Sequence, residues 1–214
     1  MNRPIAQKVY KFFLEGITIG DVNYGFSKSM INDLYQNKPL LLKAFEVSDS
    51  DIVDYKLEEL KPGQYELFTY HKENPSLPFN FVKEESAGTK RLFFILLMLI
   101  KLSQSDTTIF FDEFDLQLHI RLVEFLLEAV RASRVSQLVF TSHNSALLNR
   151  DYLRDEQILI VTKRSDGKSE IYPLSDFEGI SKIKDIQKAY LQGRFDGVPY
   201  TGDIYSMIKE ILNS

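Results

Sequence analysis

Residues 107–119, Thr-Thr-Ile-Phe-Phe-Asp-Glu-Phe-Asp-Leu-Gln-Leu-His, carry the strongest indication of a fold class in this sequence. They open with a short apolar run that does not alternate with polar residues. Such a run is typical of a strand buried on both faces, as in a parallel sheet covered by helices. Asp112 and Glu113 end the run abruptly. They therefore lie at the carboxyl end of the predicted strand, where open α/β sheets bind their ligands.

Two adjacent acids beside a buried strand need a physical reason, because a charge near the core costs free energy unless it is paired or metal-bound. One reason is a magnesium nucleotide: Asp112 would face the water shell of Mg²⁺, and Glu113 would activate a water. The alternative is that the two acids only end the strand and cap the next helix, since acids are common at helix N-termini. The pair alone leaves both interpretations open.

A second polar stretch, Lys-Glu-Glu-Ser-Ala-Gly-Thr-Lys-Arg over residues 83–91, precedes a long apolar helix predicted over 92–102. Ser86 can cap that helix, and Gly88 allows close approach of another backbone. The free N–H groups of a helix N-terminus form an anion site, for which phosphate is the obvious occupant. An ordinary capped, buried helix is the alternative.

A third polar stretch follows a second buried strand, predicted over residues 136–140. The strand ends in Thr-Ser-His-Asn, so His143 comes just after its carboxyl end. This side chain could donate to a phosphate oxygen or pack as an ordinary loop residue. Apolar residues recur at helical spacing over 118–130, between the two strands. The pattern favours an α/β fold with a largely parallel central sheet flanked by helices.

The remaining segments are predicted more coarsely. Residues 1–62 are expected to form a small N-terminal α+β appendage, and residues 63–214 the main lobe. A strand is predicted over 65–70, and a hairpin turn at Asp166-Gly167. Residues 74–82 are predicted to be a loop with two prolines followed by a short strand.

Composition excludes several classes of protein. The 214 residues carry 30 acidic and 26 basic side chains, a net charge of -4 that argues against a generally basic nucleic-acid binder. The absence of cysteine excludes disulfides and thiolate chemistry, and three His residues argue against a dedicated zinc site. The most apolar stretch, residues 92–100, is too short to cross a bilayer, and the N-terminus leads into no signal-peptide core. A cytoplasmic protein without membrane contact is expected.

Taken in their order along the chain, the three polar motifs resemble the C-terminal part of an ABC-type ATPase head. They read Glu-Ser-Ala-Gly-Thr-Lys-Arg before a helix, Asp-Glu-Phe-Asp-Leu-Gln-Leu-His after a strand, and Thr-Ser-His after the next strand. The resemblance is to bacterial AAA-domain ATP-binding proteins related to abortive-infection and overcoming-lysogenization-defect ATPases, distant cousins of structural-maintenance-of-chromosomes heads. It covers about residues 65–200 and includes a late Tyr-Leu-Gln-Gly-Arg-Phe-Asp-Gly-Val-Pro element at 190–199.

The resemblance implies a hydrolytic role for three of the matching residues, with ATP as substrate and Mg²⁺ as cofactor. Asp112 matches the Walker B acid that orients Mg²⁺ through water. Glu113 matches the general base that positions the attacking water, and His143 matches the switch His on the γ-phosphate. These roles agree with phosphoryl transfer, which mostly needs positioning and stabilisation of charge on the γ-phosphoryl group.

The resemblance also implies a dimer, with itself or with a related chain. Ser86, Gly88 and Thr89 fall in the signature segment (residues 86–89), which binds nucleotide held by the opposite subunit. Asp115 matches the loop that communicates across the dimer. An effector protein or a nucleic acid is a further expected partner.

One element of the family is missing, because no G-x-x-x-x-G-K-[ST] motif occurs in the 214 residues. Gly167-Lys168-Ser169 has Thr162 where the first glycine should be, and it precedes a predicted strand rather than a helix. The chain is therefore expected to be the signature, Walker B and switch-His lobe of an ATPase head. It would hydrolyse ATP only when a P-loop is supplied by another chain, or it would be a truncated or split gene product. The alternative is a non-hydrolytic, nucleotide-gated dimerisation module in a phage-defence or nucleic-acid-processing complex.

Overall fold

The computed structural model describes residues 5–10, 17–20, 28–104, 108–132, 137–199 and 204–212. In chain order its helices and strands are α1 (residues 5–10), β1 (Ile17–Gly20), α2 (Lys28–Gln36), α3 (Lys38–Val47), β2 (Ile52–Lys61), β3 (Gln64–His71), β4 (Asn74–Asn80), α4 (Phe81–Glu84), α5 (Ala87–Ser103), β5 (Thr108–Phe111), α6 (Ile120–Ala132), β6 (Gln137–Phe140), β7 (Leu159–Lys163), β8 (Ser169–Pro173), α7 (Ile186–Leu191) and α8 (Ile204–Leu212).

The chain divides into two compact units, residues 1–143 and 144–214. Residues 1–62 contain helices and strands, as expected of an α+β segment, and their strand β1 joins the central sheet of the first unit. The domain boundary predicted between residues 62 and 63 stays a prediction.

A parallel sheet of order β1-β5-β6 forms the centre of the first unit. Helix α6 connects β5 to β6, which is the crossover that parallel neighbours need. On the middle strand, Ile109 and Phe111 are buried on one face, because period-2 alternation sends both side chains the same way. The predicted α/β class with a parallel central sheet is confirmed.

Helix α5 is buried almost all round, which explains its uninterrupted apolar sequence. Every residue from Leu92 to Leu97 is at most 5% exposed. The ring of Phe93 packs at 4.8 to 5.4 Å, centroid to centroid, from the rings of Phe45, Tyr55 and Phe81. Burying one such ring stabilises the folded state by about 1.5–3 kcal/mol relative to leaving it exposed. The predicted helix over 92–102 is confirmed, with its first turn starting earlier, at Ala87.

An antiparallel sheet of order β2-β3-β4 lies in the same unit. Its strand β4 corrects the loop predicted over 74–78. Pro75 and Pro78 are tolerated there because β4 is an edge strand, where a missing N–H breaks no ladder. The short strand predicted over 79–82 is also wrong beyond Asn80, whose side chain accepts from the Lys83 backbone N–H (3.1 Å) and starts helix α4.

The second unit contains the antiparallel hairpin β7–β8 and the helices α7 and α8. Gly167 has a φ of +85° in the hairpin turn, a left-handed conformation that glycine adopts without steric cost. The predicted hairpin is confirmed, and the Gly167-Lys168-Ser169 run leads into strand β8 rather than into a helix. Phe195, from the late motif, is 1% exposed in the core of this unit, and Tyr190 donates from its hydroxyl to the Gly197 carbonyl at 3.0 Å.

The adjacent leucines of α3 provide a test of this packing, because Leu41 is fully buried and Leu40 is 54% exposed. We expect Leu41→Ala to lower the free energy of unfolding by about 2–5 kcal/mol, since it removes buried methyl groups and leaves a cavity. Leu40→Ala is the matched control and should change that free energy by less than about 0.5 kcal/mol. Urea denaturation measures both, and equal losses would contradict the orientation of α3.

Candidate functional site

The candidate site is built around the acid turn (residues 112–118), which follows strand β5 directly. Asp112 is exposed and Glu113 is half-buried, so both carboxylates lie at the carboxyl end of the central strand, as predicted. Glu113 has a φ of +49°, a left-handed conformation that costs a non-glycine residue free energy. The chain therefore leaves the strand in a sharp turn at Glu113 rather than continuing straight.

Thr141 connects both acids to the neighbouring strand β6. Its hydroxyl donates to Asp112 Oδ1 and accepts from the Glu113 backbone N–H at 2.8 Å. A hydroxyl can do both because it has one donor and two lone pairs. The Thr141 backbone continues the connection, since its N–H donates to the Phe111 carbonyl (3.0 Å) and its carbonyl accepts from Phe114 (3.1 Å).

Phe114 anchors the acid turn in the core. Its side chain is fully buried, with ring centroids 5.5 Å from Phe111 and 5.1 Å from Phe140. Both partners end the paired strands β5 and β6, where they are register neighbours. Burial of this ring therefore fixes the turn between the two strand ends and leaves the acids outside the core.

The signature segment begins helix α5, and its predicted cap is present. Ser86 Oγ accepts from the Thr89 backbone N–H at 3.0 Å and lies 2.8 Å from Thr89 Oγ1. Ser86 is exposed, whereas Gly88 and Thr89 are half-buried. A Cβ at Gly88 would lie 2.8 Å from the Gln117 carbonyl oxygen, so only glycine allows α5 to approach the acid turn this closely. The fold thus brings the signature segment and the acid turn together.

Within the described ranges, the two other predicted residues, Asp115 and His143, form no hydrogen bond with the side chains of Asp112 and Glu113. Asp115 is half-buried within the acid turn, and its carbonyl accepts from Leu118 at 3.1 Å. His143 is exposed, two residues beyond Thr141. Within the described part of the chain, no hydrogen bond or ion pair joins His143 to Asp112 or Glu113.

Sequence reasoning missed a cluster of one histidine and two carboxylates immediately before the signature segment. Glu85, whose side chain is 6% exposed, lies 2.7 Å from His71 Nε2 and accepts from the Thr69 hydroxyl through the same oxygen. Asp51 Oδ2 lies 3.0 Å from His71 Nδ1 on the other side of the ring. The cluster ties strand β3 to the residue that precedes Ser86. Its members are far apart in the sequence, so no local spacing identifies them.

The surroundings of His71 favour its protonated form. Burial, the largest single influence, lowers the pKa of His71, but hydrogen bonds and charges from Glu85 and Asp51 together outweigh it and raise that pKa above its ordinary value. A charged imidazole between two carboxylates donates from both ring nitrogens. The cluster is therefore most stable when His71 carries a proton.

Asp112 in the acid turn is a carboxylate of the kind that accompanies a Mg²⁺ ion in nucleotide sites. Across the described ranges, no three His, Asp or Glu side chains are grouped closely enough to hold a metal ion. Mg²⁺ in nucleotide sites keeps several waters and takes one or two protein oxygens plus phosphates. Asp112, oriented by the Thr141 hydroxyl, offers a carboxylate that could hold the waters of such an ion.

The chain matches a known family of protein domains. Residues 12–149, more than half of the chain, match the family model described as "AAA domain, putative AbiEii toxin, Type IV TA system". The chain belongs to this AAA-domain family. The match includes the signature segment, the acid turn and His143, and it places the chain among AAA-type ATPase domains. No curated protein sequence matches the chain.

Solved structures of SMC ATPase heads share the fold. One, from work on "ATP-driven dimerization and DNA stimulated activation of SMC ATPases", superposes with a TM-score of 0.53 at 15% identity, over 81% of this chain and 98% of that one. An Smc head with coiled coil and joint from Pyrococcus yayanosii gives a TM-score of 0.52 at 17% identity, over 88% of this chain and 32% of that one. At 15 to 17% identity these superpositions establish the fold alone, and the shared fold confirms the predicted likeness to SMC heads. No helix in the described ranges is long and apolar enough to span a membrane.

The raised pKa of His71 predicts a specific pH dependence. Its stabilising contribution is complete below the unfolded-state pKa of about 6.5 and is lost as the pH rises through the higher folded-state pKa. His71→Gln should therefore lower the free energy of unfolding by roughly 1 kcal/mol or more at pH 6, and by less at pH 9. Urea denaturation at both pH values measures the difference. His119→Gln, at an exposed histidine, is the matched control, and an equal loss at both pH values in His71→Gln would contradict the assignment.

Proposed function

We propose that the chain binds MgATP and hydrolyses it as the signature, Walker B and switch-His lobe of an ABC-type ATPase, with the P-loop supplied by another polypeptide. The observation that carries the proposal is the acid pair at the end of the central parallel strand, oriented by Thr141 and packed beside the N-terminus of α5. Membership of the AAA-domain family supports the same reading.

The proposed chemistry divides between the two acids. Asp112, held by Thr141 through Oδ1, would hold Mg²⁺ through its waters, and the ion would neutralise charge on the phosphates. Glu113 accepts the proton of the attacking water, and its backbone is fixed by Thr141. His143 donates to the γ-phosphate from the end of β6. This division agrees with phosphoryl transfer, in which positioning and charge stabilisation supply most of the catalysis.

An exposed ring on the central sheet supports the need for a P-loop partner. Phe110 lies on the middle strand of a parallel sheet yet is 43% exposed, although parallel strands are normally covered on both faces. Phe110 is the next-to-last residue of β5, and Asp112 follows the strand directly. A P-loop polypeptide packed over Phe110 would bring its phosphate cradle beside Asp112.

The signature segment supports a dimer in the proposed cycle. Ser86 is exposed at the N-terminus of a 17-residue helix, where N–H groups favour a phosphate. We propose that Ser86, Gly88 and Thr89 cap the nucleotide of the opposite subunit, and that Asp115 lies at the same interface. The alternative, a nucleotide-gated dimerisation module that does not hydrolyse ATP, is favoured by the missing P-loop motif.

The proposed setting is a phage-defence or nucleic-acid-processing complex in the cytoplasm, with an effector protein or a nucleic acid as partner. The description of the family as a putative toxin of a type IV system supports the first setting. The DNA-stimulated activation named for the SMC relative supports the second.

ATP turnover with a Glu113→Gln variant tests the hydrolytic role. We expect no turnover from the purified chain alone, and turnover when a P-loop polypeptide encoded nearby is added. Glu113→Gln should lower that turnover by about 10²–10⁴-fold, because the general base is lost. Glu73→Gln, at an exposed acid in the β3–β4 turn, is the matched control. Unchanged turnover in Glu113→Gln would overturn the role of Glu113, and Glu113-dependent turnover by the chain alone would overturn the need for a partner.

Nucleotide-dependent association tests the dimer. Glu113→Gln in the same assembly should sediment as a dimer with MgATP and as the smaller species without it, because unhydrolysed nucleotide holds the halves together. Adding Ser86→Arg should abolish the dimer, since a bulky side chain blocks the α5 N-terminus. Ser175→Arg, at an exposed serine of the second unit, is the control. Equal association with and without MgATP would contradict both the dimer and its alternative.

A further inference from the structure

Arg91 is a buried cation whose role neither the motifs nor the family match assigns. It lies on α5, five residues after Ser86, and is only 7% exposed. Its guanidinium donates to three successive carbonyls of the acid turn: Nε to Phe114 at 3.5 Å, and Nη2 to Asp112 at 3.3 Å and to Glu113. The same group stacks over the Phe111 ring, 5.3 Å from its centroid.

We infer that Arg91 is a positioning residue that clamps the acid turn to the first turns of α5, so that the signature segment and the acid pair move as one body. A guanidinium suits this task because its donors form a rigid planar fork that fixes several carbonyls at once. The carbonyls it holds flank Glu113, the residue with the left-handed backbone. The clamp therefore acts at a residue whose backbone conformation costs free energy.

Helix α5 contacts the acid turn at a second position as well. One helical turn before Arg91, Gly88 packs against the Gln117 carbonyl, where a Cβ would lie 2.8 Å away. Gln117 itself has a φ of +62°. Helix α5 thus holds the acid turn at both ends, through Arg91 at residues 112–114 and through Gly88 at Gln117.

The consequence for regulation rests on the proposed function. In the proposed dimer, the signature segment touches the nucleotide of the opposite subunit, whereas the acid pair serves the nucleotide of its own subunit. The clamp joins these two ends within one chain, over little more than one helical turn. Occupancy of one nucleotide site would thereby set the position of Glu113 in the other.

Amide hydrogen exchange on the full chain without nucleotide tests the clamp. The backbone N–H groups of Glu113, Phe114, Leu116 and Leu118 are all hydrogen-bonded, so their protection is measurable. Arg91→Met keeps the length of the side chain but removes the donors, and it should speed exchange of these amides by about tenfold or more. Arg91→Lys keeps the charge and should restore part of the protection. Arg121→Met is the matched control, because Arg121 follows the same turn but is exposed and pairs with Glu124 on its own helix.

A localised increase in exchange over 112–118, with partial rescue by Arg91→Lys, supports the clamp. The inference is overturned if Arg91→Met and Arg121→Met exchange equally there, or if the increase spreads evenly through α5 and β5, as a general loss of stability would produce. If Arg91→Met does not fold, Arg91→Lys compared with Arg121→Lys decides by the same criterion. Since no nucleotide is present, the result stands whether or not the ATP turnover experiment succeeds.

Discussion

The parallel pairing of β5 with β6 is the constraint on which the candidate site depends. It makes Phe111 and Phe140 register neighbours, and the two rings receive Phe114 between the strand ends. Burial of Phe114 forces the chain to turn immediately after Asp112 and Glu113. Thr141, one residue beyond Phe140, is then within hydrogen-bonding reach of both acids.

The acid turn depends on contacts that hold its backbone in an uncommon conformation. Glu113 and Gln117 both adopt left-handed conformations, which cost free energy and persist only when neighbouring contacts enforce them. Strand β6 supplies such contacts through Thr141, and helix α5 supplies them through Arg91 and Gly88. Two elements far apart in the sequence therefore share one rigid turn, an arrangement suited to a site that must keep its acids in place while ligands change.

Local patterns predicted the elements that have a strong local signal. The apolar runs of β5 and α5 and the glycine turn of the β7–β8 hairpin were all assigned correctly. Strand β4 was missed because two prolines normally signal a loop, and only its edge position makes them acceptable. The individual roles of Ser86, Gly88, Thr89, Asp112, Glu113, Asp115 and His143 stay predictions.

By itself, the sequence determined the class of the protein: an α/β domain with acids after a buried strand, a capped helix and a polar end to the next strand. These are local features, because capping, strand termination and turn formation depend on neighbouring residues. Which of these helix and strand ends lie next to each other became known from the folded chain. Arg91 binding the acid turn, Thr141 bridging the acids and His71 lying between two carboxylates all join residues at least 20 positions apart or on separate elements, and such contacts arise from packing, which no local pattern encodes.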